Sequence, residues 1–141
     1  MNIVPHPKEK VTYYNLSDFF LEYRPEIPGL YFKLTGFVSH KRFVEIYDQY
    51  LAVIKKHVRV KIITDTGQAK VLTPESQAYN NEKMPEFLAH VPVNAVILPK
   101  DTFVEFMLNR MKHKAENISN GDFQLKMFDT YESALDWIRT K

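Results

Sequence analysis

Apolar positions along the chain switch repeatedly between a period of two and a period near 3.6, and that switching sets the expected architecture. Phe19, Leu21 and Tyr23 alternate with Phe20, Glu22 and Arg24, which predicts a strand. Pro25-Glu26-Ile27-Pro28-Gly29 supplies turn chemistry, the prolines fixing φ and Gly29 admitting a positive φ. Leu30 to Leu34 is the expected antiparallel return strand, and Gly36 follows near its end. Ser39 then offers a helix N-cap. Phe43, Ile46, Tyr47, Tyr50, Leu51 and Ile54 fall at i, i+3, i+4, i+7, i+8 and i+11, a single helical face. Lys55, Lys56 and His57 close that helix, where the dipole favours cations.

The run Val58 to Thr64 holds Val58, Val60, Ile62 and Ile63 with little polar relief, as expected of a strand buried on both faces. Thr73-Pro74-Glu75 predicts a cap followed by proline at the first helical position. The helix is expected over 74–83, with Pro85 breaking or restarting it. Val93 to Leu98 (V-N-A-V-I-L) is a second buried run, stopped by Pro99. Thr102 to Glu105 has capping-box spacing. Phe103, Phe106, Met107, Arg110 and Met111 continue at helical spacing, and Asn117 to Gly121 ends that helix. Phe123 to Phe128 alternates as a strand with one wetter face. Asp129 and Glu132 suggest a last N-cap with its reciprocal acid, and Tyr131, Ala134, Leu135 and Ile138 line the final helix. Residues 1–17, with Pro5 and Pro7, read as an N-terminal arm in which Val11, Tyr13 and Tyr14 are a candidate extra strand. The expectation is therefore an arm over 1–17 and one α/β domain over 18–141. Its order is β-β-α-β-α-β-α-β-α, with a mixed sheet because a hairpin precedes helix crossovers.

Composition narrows the function classes. The chain's 141 residues suit one domain, and 45% apolar with 26% charged residues is a globular balance. Lys and Arg number 19 against 17 Asp and Glu, and a net charge of +2 is no electrostatic footprint for nucleic acid. The absence of cysteine removes disulfides, thiolate-held metals and thiol catalysis. No apolar run approaches the roughly 20 residues that span a bilayer, and M-N-I-V-P-H-P-K-E-K lacks the apolar core of a signal peptide. A soluble, cytoplasmic domain is expected, with no membrane span and no nucleic-acid partner.

One motif raises specific chemistry. V-K-I-I-T-D-T-G carries the Asp65-Thr66-Gly67 tripeptide that an aspartic protease places at its catalytic turn. That mechanism needs two carboxylates about 3 Å apart sharing a proton, hence a homodimer on an almost all-β fold. Here the tripeptide lies between two helical patterns, and the later apolar Val96-Ile97-Leu98 is followed by Pro99 rather than glycine. The protease reading is set aside, and an enzyme is not expected. Asp65, Thr66 and Gly67 remain a candidate functional loop, because the carboxyl edge of parallel strands is where α/β proteins place ligands.

Other constellations carry less. His6, His40, His57, His90 and His113 show neither HxxxH nor HxH spacing, so no metal site is expected. No Gly-x-Ser-x-Gly elbow or Gly-rich phosphate loop occurs among only four glycines, so no cofactor is implied. Arg110, Lys112, His113 and Lys114 read as charges offsetting a helix C-terminus. The stretch Phe103, Val104, Phe106, Met107, Leu108 and Met111 is apolar over more than one packing stripe. Phe103, Phe106, Met107 and Met111 are therefore a candidate contact face for a partner or an apolar ligand.

The phrases L-Y-F-K-L-T-G-F-V-S, V-R-V-K-I-I-T-D, V-N-A-V-I-L-P and F-Q-L-K-M-F-D-T-Y-E-S-A-L-D-W-I, in this order of elements, resemble the SpoIIAA-like (STAS/SEC14-type) superfamily over about residues 19 to 140. The resemblance implies a curved mixed sheet with helices mainly on one side. It also implies a regulatory or interaction role in which a hydroxyl after the third strand is phosphorylated. Thr73 and Ser76 are the nearest candidate phospho-acceptors, although V-L-T-P-E-S-Q departs from the usual Asp-Ser-Ser-Gly pattern. The functional expectation is a non-catalytic regulatory or protein-interaction module whose partner is another protein or a second copy of itself. The alternative is a carrier or sensor of an apolar small molecule or lipid.

Overall fold

The computed structural model describes residues 6–141, so Pro5 and the start of the expected arm lie outside the described residues. The chain is α/β. Its elements run β1 (Val11–Asn15), β2 (Phe19–Arg24), β3 (Gly29–Leu34), α1 (His40–Lys56), β4 (Lys61–Asp65), α2 (Pro74–His90), β5 (Val93–Ile97), α3 (Thr102–Ser119), β6 (Gln124–Phe128) and α4 (Tyr131–Ile138). The candidate strand in the arm is thus a strand of the sheet, paired antiparallel to β2 with an irregularity between Thr12 and Tyr14.

The six strands lie side by side in chain order, β1-β2-β3-β4-β5-β6. The pairs β1/β2 and β2/β3 are antiparallel, while β3/β4, β4/β5 and β5/β6 are parallel. A parallel sheet that always grows in the same direction through right-handed crossovers must place every crossover helix on one face. Accordingly, α1, α2 and α3 share one core with Phe19, Leu21, Leu30, Phe32 and Ile62 of the strands. Only α4, which follows the last strand, packs on the other face, with Ala134 and Ile138 against Ile63, Val93, Ala95 and Ile97. Lys61 ties down its end by donating to the carbonyls of Ile138 and Lys141 at 3.1 Å each, where a helix C-terminus attracts a cation.

The two layers differ in thickness. The backbone of α4 approaches β4, β5 and β6 closely, because Ala134 and Ala95 are small. The α1–α3 layer stands further off on large rings, with Phe32 and Tyr50 centroids 4.1 Å apart and Phe87 reaching both Tyr50 and Phe123.

Several local expectations change. Pro85 lies inside α2, which runs unbroken to His90. A helix-interior proline costs about 3 kcal/mol, and the burial of Met84 with Phe87 and Leu88 beyond it offsets that cost. The cap of α3 is Asp101, whose carboxylate accepts from the Phe103 N–H at 2.8 Å, rather than Thr102. The cap of α4 is Thr130, not Asp129. The cluster Arg110 to Lys114 lies within α3, whose last turn carries no basic residue and ends on left-handed Asn120. Gly29 does not take a positive φ. It is needed because a Cβ there would sit 2.2 Å from the Lys61 carbonyl oxygen. Ser39 and Thr73 cap α1 and α2 as expected.

Candidate functional site

Between the sheet and the α2–α3 pair lies a cavity of about 170 Å³. Its floor is Phe32, Thr64, Asn94, Val96 and Leu125 from four neighbouring strands. One wall is Tyr47 and Tyr50 of α1 with Met84 and Phe87 of α2. The other is the inward face of α3, formed by Val104, Met107, Leu108, Met111 and Ala115. The lining reaches the carboxyl edge of the parallel strands at Thr66, Ala69 and Lys70. Only Lys70 among these rim residues is exposed.

The broad apolar face predicted on α3 therefore divides. Met107 is buried and Met111 half-buried, and both line the cavity. Phe103 and Phe106 lie outside the lining, 75% and 66% exposed. An α-helix turns about 100° per residue, so Phe106 stands on the far side of α3 from Leu108 and Ala115, while Phe103 flanks the lining face in the helix's first turn.

Tyr50, Thr64 and Asn94 form a polar corner in the mainly apolar lining, to which Asn80 of α2 also contributes a polar side chain. Thr64 Oγ1 donates to Asn94 Oδ1 at 2.8 Å. The Tyr50 hydroxyl lies beside Thr64, and burial pushes its pKa well above the ordinary tyrosine value, with Tyr47 adding to the rise. Tyr50 thus stays protonated and acts as a hydrogen-bonding group. None of the three was singled out from the sequence. Asn94 carried the one available signal, as the sole polar residue of V-N-A-V-I-L.

The Asp65-Thr66-Gly67 loop is held by its own bonds. Asp65 Oδ1 accepts from the Gly67 N–H at 3.0 Å and Oδ2 accepts from the Tyr31 hydroxyl at 2.5 Å, on the α4 side of the sheet. Thr66 is buried and donates to the Ile97 carbonyl at 2.6 Å. Gly67 has no positive φ, so the Asp65 side chain and not glycine's left-handed freedom sets this turn. The tripeptide fixes the cavity rim without turning a free carboxylate into it. Burial together with the Asp65 bond raises the Tyr31 pKa.

The two candidate phospho-acceptors are occupied. Thr73 Oγ1 accepts from the Ser76 N–H at 3.1 Å, the capping bond of α2. Ser76 is fully buried, with its hydroxyl 3.0 Å from Thr73 Oγ1 and 3.1 Å from His40 Nδ1. A kinase reaches Ser76 only after the first turn of α2 opens.

The histidines stay apart from the cavity lining. His57 is buried and stacks on Tyr23 at 5.3 Å, its Nε2 2.9 Å from the Tyr13 hydroxyl. His90 Nδ1 lies 2.6 Å from the Val58 carbonyl oxygen. No group of three or more His, Asp or Glu side chains suited to a metal ion occurs among the described residues. No described helix is long and apolar enough to cross a membrane. Comparisons with protein-family models, curated proteins and solved structures returned no match for this chain.

Proposed function

We propose that this protein is a non-catalytic binding module that holds a small, mainly apolar molecule between α3 and the sheet. The observation that carries the reading is the cavity itself, about 170 Å³ and lined mainly by apolar side chains, with a polar corner at Tyr50, Thr64 and Asn94. Such a lining is the usual make-up of a small-molecule site. Apolar cavities of roughly 150 Å³ hold a molecule the size of benzene. The polar corner favours holding over reacting. A tyrosine kept protonated by burial, a threonine and an amide form hydrogen bonds well but are poor acids and bases at neutral pH.

The test is native mass spectrometry of the protein purified from its own host, beside an Ala115→Leu variant that fills the cavity. A small bound mass on the wild type that is missing from the variant supports the reading. Bare chains in both samples, together with no thermal stabilisation by any of the one- and two-ring probes named below, overturn it.

A second reading, a regulatory or protein-interaction module, draws support from Phe103 and Phe106. These rings are exposed on the helix that walls the cavity. It predicts that a Phe103→Ser/Phe106→Ser double variant weakens association with a protein partner or a second copy in analytical ultracentrifugation. The variant's cavity and fold should be unchanged.

A further inference from the structure

The polar corner carries information about the ligand's chemistry. Tyrosine and threonine hydroxyls bring one hydrogen each and the asparagine amide brings two. Thr64 and Asn94 are joined by one bond, and Thr64 and Tyr50 are in contact. Two contacts use at most two of those hydrogens. Asn94 is 8% exposed, and its amide nitrogen has no hydrogen-bond partner within the described chain. Asn94 lines the cavity, so its amide hydrogens are open to whatever occupies that space. The surplus does not depend on which way the Asn94 amide is turned. With the amide reversed, the spare hydrogens are one on Asn94 and one on the Tyr50 hydroxyl. A buried N–H or O–H left without an acceptor costs roughly 1–3 kcal/mol.

Charge selects further. Within the lining, the only charged side chains are Asp65 and Lys70. Asp65 is engaged by Tyr31 and Gly67, and Lys70 is exposed at the rim. An anion drawn down to the polar corner would have no cation beside it, and a buried unpaired charge is strongly disfavoured.

We propose that the cavity is specific for neutral, mainly apolar molecules that present a carbonyl-type acceptor oxygen to the Tyr50–Thr64–Asn94 corner. This rests on the binding reading above and names the ligand class for the same site. An acceptor placed there takes up the donors the fold leaves over, while the body of the molecule lies against Phe32, Val96, Met107 and Met111.

The experiment uses matched probes on the full chain, read by isothermal titration calorimetry. Acetophenone carries the acceptor, isopropylbenzene has nearly its shape without one, and benzoate replaces it with a charge. The two-ring counterparts 2-acetylnaphthalene, 2-isopropylnaphthalene and 2-naphthoate cover a longer occupant. The ketone of at least one set is expected to bind roughly tenfold tighter than its hydrocarbon, the ratio a net hydrogen bond supplies. The carboxylate is expected to bind weakest. A Tyr50→Phe/Thr64→Val/Asn94→Leu triple variant removes all three members of the corner together, so no orphaned donor remains there. In that variant the ketone's advantage should vanish while the hydrocarbon still binds. Ketone and hydrocarbon binding wild type equally overturns this inference and leaves the binding reading standing. So does preferred binding of the carboxylate. A ketone preference that survives in the triple variant overturns the assignment to this corner. No probe binding at all overturns the binding reading and this inference with it.

Discussion

The space between α3 and the sheet should admit an added side chain without strain. Ala115 lines the cavity on α3 and is 4% exposed, so Ala115→Leu aims three more carbons into that space. Burial at about 0.8 kcal/mol per methylene gives roughly 2.4 kcal/mol of stabilisation. Loss of leucine rotamer freedom removes about 0.5–1 kcal/mol, and the difference in helix propensity removes a few tenths more. The net expectation is a gain of about 1 kcal/mol, or roughly 3–4 °C in Tm for a chain of this size. Ala134 is the contrasting position. It is fully buried on α4, against the close-packed Ala95 side of the sheet. There the same change overpacks and should destabilise by about 1–3 kcal/mol. Urea unfolding of the wild type, Ala115→Leu and Ala134→Leu at one pH gives the three free energies directly. If Ala115→Leu destabilises as much as Ala134→Leu, the space is already filled by repacked side chains and the ligand reading loses its ground.

Further outcomes follow from single positions. Val58 follows the end of α1 with φ 65°, a left-handed conformation in which a β-branched residue is strained by about 1–2 kcal/mol. It is 46% exposed, so Val58→Gly removes that strain with little packing loss and should raise the urea midpoint by the equivalent of about 0.5–1 kcal/mol. A lower midpoint would show that Val58 packing matters more than its backbone. Gly29→Ala should lower Tm, by overpacking worth about 1–3 kcal/mol, because its Cβ meets the Lys61 carbonyl backbone and not a movable side chain. Unchanged Tm would mean that β3 and β4 can separate locally. Burial lowers the His57 pKa below the ordinary value of about 6.5, with His6 and Lys56 adding to the effect. The unfolded chain therefore binds a proton that the folded chain resists, so this contribution is complete above about pH 6.5 and falls as pH drops toward the folded pKa. His57→Phe should flatten the decline in unfolding free energy between pH 7 and 5, and an unchanged slope would assign that decline to other groups.

The fold was legible wherever one residue pattern answered to one partner. The six positions of α1 at helical spacing, Phe43 to Ile54, are all buried, since one helix face meets one sheet. The caps of α3 and α4 fell one residue from expectation because Asp101-Thr102 and Asp129-Thr130 each offer two adjacent capping oxygens. Pro85 misled because its effect on α2 is decided by what Met84 and Phe87 bury, which no local pattern states. Gly29 announced a constraint without its kind, a close backbone approach rather than a left-handed turn. The site was less legible still. Met107 and Met111 were picked out with Phe103 and Phe106, and apolarity alone does not say that a helix near the surface has an inner and an outer apolar side. Tyr50, Thr64 and Asn94 come from three elements. Each looks ordinary in its own: a ring on a helix face, a threonine at a strand end, an amide in a buried run. Only the parallel pairing of Ile62 with Asn94 and of Thr64 with Val96 brings Thr64 and Asn94 onto one face as diagonal neighbours, with Tyr50 above them.

The cavity-filling leucine and a bound ligand are two ways of occupying one volume, and this links stability to function. A molecule that binds only the folded chain stabilises it by about 2.7 kcal/mol at a free concentration a hundred times its Kd. Ala115→Leu already places carbon in that volume, so the variant should start more stable and gain almost nothing from the same addition. The two effects should therefore fail to add, as expected of groups that share one cavity. Thermal melts of both proteins with and without 2-acetylnaphthalene close the cycle. Full additivity would mean that the probe stabilises the wild type from somewhere else on the molecule, and the space beneath α3 would then be a packing feature and not a binding site.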